Sequence, residues 1–287
     1  MTAAVILVAA ITPGIFWLWF FTRGRSYHPR PRRLLVGTFF LGAMSTVPAG
    51  LIEFALIPAD SWGASTAIGA VAFVMFFIVG PVEETSKFLA VRFGAFRTGY
   101  FEEPLDGLIY STAASLGFAS AENVLYAITY GPEVMIVRGP LSTVAHLVFG
   151  AAWGLALGLR ARRRGFSALT LLGLAGAAIT HGAFNVSAAA GLPLLAIALV
   201  VIGALVVARM YRWAQRVSPF RLRRNVPLVA CRVCHNEYRL GSRFCSQCGS
   251  PASDDDPALI CGNCRKISRA DARFCVSCGD RFVKRPS

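Results

Sequence analysis

The sequence predicts an all-α polytopic membrane bundle of about seven transmembrane helices, followed by two small zinc ribbons. The 287 residues are 55% hydrophobic and only 15% charged, whereas charged residues approach about a quarter of an ordinary soluble domain. Apolar runs of about 20 residues recur, which is long enough to cross ~30 Å of hydrocarbon. All eight cysteines lie after residue 230. A cysteine-free membrane part therefore precedes a cysteine-rich tail, and a soluble enzyme is excluded.

Seven apolar stretches are expected to cross the membrane. They cover residues 2–22, 34–57, 64–91, 105–129, 140–159, 167–190 and 193–209. The connectors 22–33, 160–165 and 209–224 are strongly basic, and the connector after the third span is mixed but holds Arg92 and Arg97. The connectors 58–62, 130–140 and 190–193 carry one arginine between them. Because basic connectors stay on the cytoplasmic side, we expect the N-terminus outside and the C-terminus inside. The first stretch has no basic residues before it, so we interpret it as an uncleaved helix and not as a signal peptide.

The tail contains two copies of one cysteine pattern. Residues 231–249 and 261–279 both fit C-x2-C-x10-C-x2-C-G. Four cysteines in two knuckles form the closed tetrahedral thiolate site that structural zinc requires. The expected zinc ligands are Cys231, Cys234, Cys245, Cys248, Cys261, Cys264, Cys275 and Cys278. The tail resembles the double zinc ribbons of many prokaryotic proteins, and free thiolates suit a reducing cytoplasm.

These features predict a membrane domain at 1–213, a basic linker at 214–230 and a double zinc ribbon at 231–283. The net charge of +14 is explained by orientation signals and contacts with lipid headgroups, so nucleic acid is not expected as a partner. His235 follows Cys234 and is expected to be a bystander, because four cysteines complete the site. The ribbons are either a stable interaction module or a site that recognises a cytoplasmic partner or a protein substrate.

Polar side chains recur inside the predicted spans. An ionisable group at mid-bilayer costs about 2.5–3.5 kcal/mol on insertion scales, so each requires a reason. The candidates are Glu53, Glu83, Glu84, Lys87, Glu122, Asn123, His146, His181 and Asn185. Glu53 lies near the outer end of its span, where we expect it to reach the interface and to have no functional role. The others lie on four spans, at depths that allow the glutamates and histidines to meet in the outer half of the bilayer.

The chemistry of this set follows from its residue types. Lys87 is spaced to pair with Glu83 at i,i+4 or with Glu84 at i,i+3, and Pro81 is expected to kink or break the helix just before them. A lone membrane histidine often only hydrogen-bonds between helices. Several glutamates with two histidines instead suit a reaction in which a carboxylate takes a proton from water while imidazoles bind a metal or orient the water.

Four blocks resemble the PrsW family of intramembrane proteases: EETSK, FEEPLDGLIYSTAASLGFASAENVLY, a histidine before LVFGAAWG, and HGAFN, between about residues 80 and 190. That family belongs to a wider superfamily that includes the type II CAAX prenyl endopeptidases. The resemblance implies a catalytic set of Glu83, Glu84, Glu122, His146, His181 and Asn185. It implies Glu83 as general base and Asn185 as oxyanion donor. The superfamily usually has histidine where this chain has Glu122, which leaves open both a zinc-dependent and a glutamate-only site.

The resemblance implies an endopeptidase of a prokaryotic plasma membrane that cleaves a membrane-anchored protein. In PrsW-like systems an anti-sigma factor is such a substrate. Two alternatives stand beside this one: a non-catalytic membrane sensor or scaffold that displays the ribbons, and a proton-coupled transporter, since Glu and His chains also form proton relays. Transporter folds usually contain two related halves, and no repeat is visible in the membrane part.

Overall fold

The computed structural model describes residues 3–23, 30–58, 67–161 and 167–218, and parts of the tail: 228–231, 233–235, 237–239, 248, 250, 259–260 and 267–268. Its contacts divide the chain into two compact units, Met1–Ser218 and Pro219–Ser287. The first unit is helical. Its helices are α1 (Ala3–Thr22), α2 (Arg32–Met44), α3 (Thr46–Leu56), α4 (Ile68–Val74), α5 (Gly80–Phe93), α6 (Pro104–Tyr130), α7 (Met135–Val137), α8 (Thr143–Leu159), α9 (Ala168–Ala189) and α10 (Pro193–Val217).

Three of the predicted spans are composite. α2 and α3 meet at Ser45, a π-helical turn at Met75–Val79 joins α4 to α5, and a second π-helical turn at Arg138–Ser142 joins α7 to α8. Six helical stretches within the described ranges are long and apolar enough to cross a membrane: Ala4–Thr22, Arg32–Leu56, Ile68–Arg97, Pro132–Leu159, Ala168–Ala189 and Pro193–Val217. The predicted polytopic helical bundle is therefore confirmed.

The remaining predicted span is α6, which occupies the centre of the bundle. It is the longest helix described, at 27 residues, and every residue from 105 to 120 is buried. Small residues allow its neighbours to approach closely: a Cβ at Gly117 would overlap the carbonyl oxygen of Phe39 on α2, and one at Gly107 would overlap that of Gly154 on α8. Protein therefore surrounds α6 over most of its length, which explains why its sequence is more polar than that of the other six stretches.

A buried cluster of charges fixes the beginning of α6. Glu103 is the N-cap residue, and the backbone N–H of Glu103 donates to Oδ2 of Asp106 at 3.0 Å in a capping box. The guanidinium of Arg30 binds Oε1 of Glu103 and Oδ1 of Asp106, each at 2.6 Å. The hydroxyl of Ser218 donates to the other carboxylate oxygen of Glu103. These contacts bring the residues before α2, the start of α6 and the residue after α10 together at one end of the bundle.

The second unit contains two short antiparallel hairpins, β1 (Leu228–Ala230) with β2 (Glu237–Arg239) and β3 (Leu259–Ile260) with β4 (Ile267–Ser268). The first strand of each hairpin ends directly before the first cysteine of one repeat. The internal repeat of the sequence is therefore also a repeat of structure. The glycines that end each repeat, at 249 and 279, lie outside the described residues.

Candidate active site

The candidate site begins where the π-helical turn passes into α5. Pro81 lies in the first turn of α5, directly after the π-helical turn, so its missing N–H removes one backbone hydrogen bond inside a continuous helical stretch. The break expected at Pro81 thus takes the form of a change from π to α geometry at Gly80 within one continuous stretch. π-helical turns inside helices are frequent at functional sites. This one sets the direction in which the next turn presents Glu83 and Glu84.

The two adjacent glutamates face different surroundings. Glu84 is completely buried and has three partners: Lys87 Nζ at 2.8 Å, the indole N–H of Trp153 at 3.0 Å and Nδ1 of His181 at 3.1 Å. Glu83 lines a cavity, and its Oε2 lies 3.2 Å from Lys87 Nζ and 3.8 Å from Nε2 of His181. Neighbouring helical residues point about 100° apart. Glu84 is therefore held inside the protein while Glu83 borders open space.

His146 connects this pair to a second carboxylate. Its Nδ1 lies 2.8 Å from Lys87 Nζ, and its Nε2 lies 2.9 Å from Oε2 of Glu122. The guanidinium of Arg138 lies 3.2 Å from Oε1 of Glu122. The rings of His146 and His181 are 5.1 Å apart between centroids. One continuous chain of polar contacts thus runs from Arg138 to Trp153 through the interior of an otherwise apolar bundle.

A cavity of about 470 Å³ adjoins this network. Glu83 and Glu122 lie in its wall, as do Asn185, Glu53 and Arg138. Most of the remaining wall is apolar or small. Of the six residues predicted to be catalytic, the structure connects five through the polar network and places Asn185, the sixth, beside the same cavity.

Comparisons with known proteins agree with this architecture. Residues 30–210 match the model of a family described as PrsW family intramembrane metalloprotease. The chain belongs to this family. The resemblance expected from the sequence is confirmed, and so is the enzyme class of intramembrane protease. Residues 231–279 match a separate family described as double zinc ribbon.

Several relatives are named Protease PrsW. That of Bacillus subtilis (strain 168) is 33% identical over 153 residues, which are 53% of this chain and 67% of the relative. That of Geobacillus kaustophilus (strain HTA426) is 31% identical over 153 residues, covering 65% of the relative. That of Clostridioides difficile (strain 630) is 30% identical over 155 residues, covering 62% of the relative. No solved structure matches the chain.

The residues of this PrsW-family site fit a divalent metal in kind and in number. Glu83, His146 and His181 each offer one ligand atom, and these atoms lie within 4.8 Å of one another. Two imidazoles and one carboxylate form a common set of protein ligands for catalytic zinc. The ammonium of Lys87 faces two of the same residues, at 2.8 Å from His146 Nδ1 and 3.2 Å from Glu83 Oε2. A bound cation and Lys87 would therefore share these donors.

The tail also brings together the donors of a metal site. Sulfur atoms of Cys231, Cys234 and Cys248 lie within 4.8 Å of one another. The N–H of Val233 donates to Cys231 Sγ at 3.4 Å. A hydrogen bond with Ser250 is the main cause that lowers the pKa of Cys231 to about 6, which favours the thiolate form that zinc binds. Cys245 and the four cysteines of the second repeat lie outside the described residues.

His235 has a positive φ of 61°, and its N–H donates to the carbonyl of Cys231 at 2.9 Å. The residue after the knuckle thus closes a tight turn. Its backbone has a local structural role, whereas its side chain is exposed.

Sequence reasoning missed two residues of the cavity. Glu53 was expected at the interface without a role, and the structure instead places it in the cavity wall. Arg138 was counted as part of an outer connector, but it begins the second π-helical turn and contacts Glu122. A signal existed for each: Glu53 ends a stripe of small residues at helical spacing, and Arg138 is the one basic residue in the connectors predicted to lie outside.

Proposed function

We propose that this protein is an intramembrane endopeptidase that cleaves a membrane-anchored protein with a water molecule that Glu83 deprotonates. One observation carries this assignment: of the two adjacent glutamates, Glu83 lines the cavity while Glu84 is completely enclosed. A general base must reach the proton that it removes. Glu84, with its three partners inside the protein, is suited to hold Lys87 and His181 in position.

The steps follow from the surroundings of each side chain. Glu83 takes a proton from water as the water oxygen attacks the scissile carbonyl carbon, and it returns a proton to the leaving amide nitrogen as the C–N bond breaks. The ammonium of Lys87, 3.2 Å from Glu83, places a positive charge beside this carboxylate. The side-chain amide of Asn185, in the same cavity, donates to the oxygen that becomes negative. Glu122 orients His146 through the 2.9 Å contact at Nε2.

We extend the proposal to zinc. In a zinc-dependent form Glu83 would be a ligand and would no longer serve as the free general base. Glu83, His146 and His181 would hold the ion, which when bound would supply a polarised water and a Lewis acid for the carbonyl. The fit of the three donors supports this assignment. In the competing glutamate-only form, the ammonium of Lys87 contacts Glu83 and His146 in place of a metal ion. The observed contacts of Lys87 with these two residues support that form. A purified protein that keeps its cleavage rate after chelation would support that form.

We propose that the protein lies in a prokaryotic plasma membrane with its N-terminus outside and its tail in the cytoplasm. The alternation of basic connectors supports this orientation. The contacts among Arg30, Glu103 and Ser218 support it further, because they join three chain segments that an odd number of crossings would place on the cytoplasmic side. The hydroxyl of Tyr211, near the end of α10, also donates to the carbonyl of Phe21 near the end of α1.

We propose the same division into a membrane domain at 1–213, a linker at 214–230 and zinc ribbons at 231–283, with α10 continuing into the linker as far as Val217. The ribbons would hold two structural zinc ions through their eight cysteines and recognise a cytoplasmic partner or the substrate, for which an anti-sigma-factor-like protein is the leading candidate. Replacing all eight cysteines by serine should abolish cleavage of a substrate that is recruited in this way. Undiminished cleavage would contradict recruitment.

The proposal is tested in cells by N-terminal proteomics of membrane proteins. Wild type is compared with Glu83→Ala and His181→Ala at equal expression, and Glu133→Gln, an exposed glutamate of the connector after α6, is the matched control. A protein fragment that appears with wild type and the control, and disappears with the two site variants, supports the protease and names its substrate. If no fragment depends on Glu83, the membrane scaffold becomes the better interpretation.

A further inference from the structure

α3 presents two different faces. Its large apolar side chains, among them Leu51 and Phe54, are exposed by 66% and 87%, as expected for a surface in contact with lipid. Four residues at helical spacing line the cavity instead: Thr46, Ala49, Gly50 and Glu53. Small residues leave room along this face, and Glu53 is its one charged member. One face of α3 thus lines the cavity, and Glu53 is the last residue of that face.

The charges around the cavity leave Glu53 without a counterion. The guanidinium of Arg138 is paired with Glu122 at 3.2 Å. Lys87 is shared by Glu83 and Glu84, at 3.2 and 2.8 Å. Within the part of the chain that the structure describes, no cationic side chain pairs with Glu53, and its Oε1 is buried without a hydrogen-bond partner. The ion pairs of these two cations are therefore with other carboxylates, although Nη2 of Arg138 makes no hydrogen bond.

A buried carboxylate oxygen without a partner is costly, because burial removes its hydration and nothing replaces it. The cost disappears when a ligand brings a positive charge or a donor to that place. Both the aliphatic part and the charged end of a lysine or arginine side chain suit this cavity. Its aliphatic stem can lie along the apolar wall while its charged end reaches a carboxylate.

We infer that Glu53 is a specificity residue, which pairs with a basic side chain of the substrate segment that lies in the cavity. This inference rests on the proposed function, because it assigns the cavity to the substrate. Glu53 lies three residues before the end of α3 at Leu56. A basic residue at the membrane boundary of a substrate would reach it while the scissile bond lies beside Glu83. The substrate class is thus a membrane-anchored protein with a lysine or arginine close to the cleavage site.

The experiment measures binding separately from cleavage. The full-length protein with Glu83→Gln, which blocks cleavage, is reconstituted in nanodiscs together with synthetic peptides. Each peptide has an apolar span of about 20 residues and carries lysine, glutamine or glutamate at one position, which is moved stepwise along the outer end of the span. Affinity is read by photo-crosslinking. The protein that retains Glu53 should bind the best lysine peptide roughly tenfold more tightly than its glutamine counterpart, which corresponds to about 1.4 kcal/mol.

Three variants give the decisive outcomes. Glu53→Gln keeps the size of the side chain and should bind lysine and glutamine peptides equally, and Glu53→Lys should favour the glutamate peptide. Glu133→Gln, whose side chain is exposed, should keep the lysine preference. A lysine preference that survives Glu53→Gln overturns the inference, and so does the absence of any preference or any binding in the protein that retains Glu53. Equal thermal midpoints among the variants exclude misfolding as the cause.

The same peptides given to the protein with Glu83 restored separate the two proposals. If no peptide is cleaved while the lysine preference depends on Glu53, the protease proposal fails and the specificity residue stands. If peptides are cleaved without regard to charge, the specificity residue fails and the protease stands.

Discussion

Replacing each of the two adjacent glutamates by glutamine should separate a structural carboxylate from a catalytic one. Glu84 accepts from Lys87 and Trp153 and contacts His181 at 3.1 Å. A glutamine in its place has only one accepting oxygen, and its amide N–H₂ would face another donor. Glu83 makes a longer contact with Lys87, at 3.2 Å, and borders the cavity, so the glutamine there has space to reorient.

The loss of stability expected for Glu84→Gln follows from the burial of Lys87. Removing one member of a buried ion pair costs about 3–5 kcal/mol, because the remaining charge is left uncompensated. In the Glu84→Gln protein, Lys87 still has Glu83 as a partner at 3.2 Å. We therefore expect a loss at the lower end of this range, about 3 kcal/mol. At about 2–4 °C for each kcal/mol in a domain of this size, the thermal midpoint should fall by about 6–12 °C. Glu83→Gln should cost about 1 kcal/mol or less and still abolish cleavage.

The assay is thermal unfolding of the purified full-length chain in detergent, followed by circular dichroism at the helical signal. Cleavage is measured on the same preparations. The tail variant with all eight cysteines replaced by serine provides a control in which only the membrane unit unfolds. Equal midpoints for the two glutamine variants would refute the reasoning, as would a larger loss for Glu83→Gln.

Three further predictions concern other parts of the membrane unit. Arg30→Ala should lower the free energy of unfolding by about 3–5 kcal/mol, because it removes a buried guanidinium that contacts both Glu103 and Asp106, and chemical or thermal unfolding measures this loss. Arg138→Ala should slow cleavage by roughly tenfold or more through loss of its contact with Glu122. Arg138→Lys should restore part of the rate, and an unchanged kcat in the alanine variant would contradict the assigned role. Gly117→Ala should lower the thermal midpoint, because its Cβ would overlap the backbone of α2, whereas Gly37→Ala, with open space around it, should have no effect.

The helical bundle was predictable from the sequence because long apolar runs have few alternatives in a membrane. Six of the seven predicted spans lie within about five residues of the observed helices, whereas α10 continues to Val217 beyond its predicted end at 209. The duplicated cysteine pattern predicted two similar units in the tail, and each contains one hairpin. The central position of α6 was not predicted. Hydropathy measures how well a helix tolerates lipid, and it does not tell which helix is covered by protein. The burial of residues 105–120 depends on the packing of helices from distant parts of the chain.

The site was predictable in its residues and not in its geometry. Charged side chains inside apolar runs are rare enough to identify Glu83 and His146 from the sequence alone. The sequence does not tell which of two adjacent glutamates borders a cavity, because that depends on the π-helical turn before them and on partners from other helices. Glu53 and Arg138 were missed for a related reason. Each lies near the end of a predicted span, where a charged residue normally needs no partner inside the protein.

The most direct test of the central claim is cleavage by the purified full-length protein in nanodiscs, with a substrate that N-terminal proteomics has named. The initial rate is compared among wild type, Glu83→Gln, Glu83→Asp and Glu133→Gln. We predict that Glu83→Gln abolishes cleavage while binding the substrate normally, that Glu83→Asp retains a small part of the rate, and that the control is unaffected. Cleavage by Glu83→Gln at a rate close to that of wild type would show that another group activates the water, and it would contradict the account.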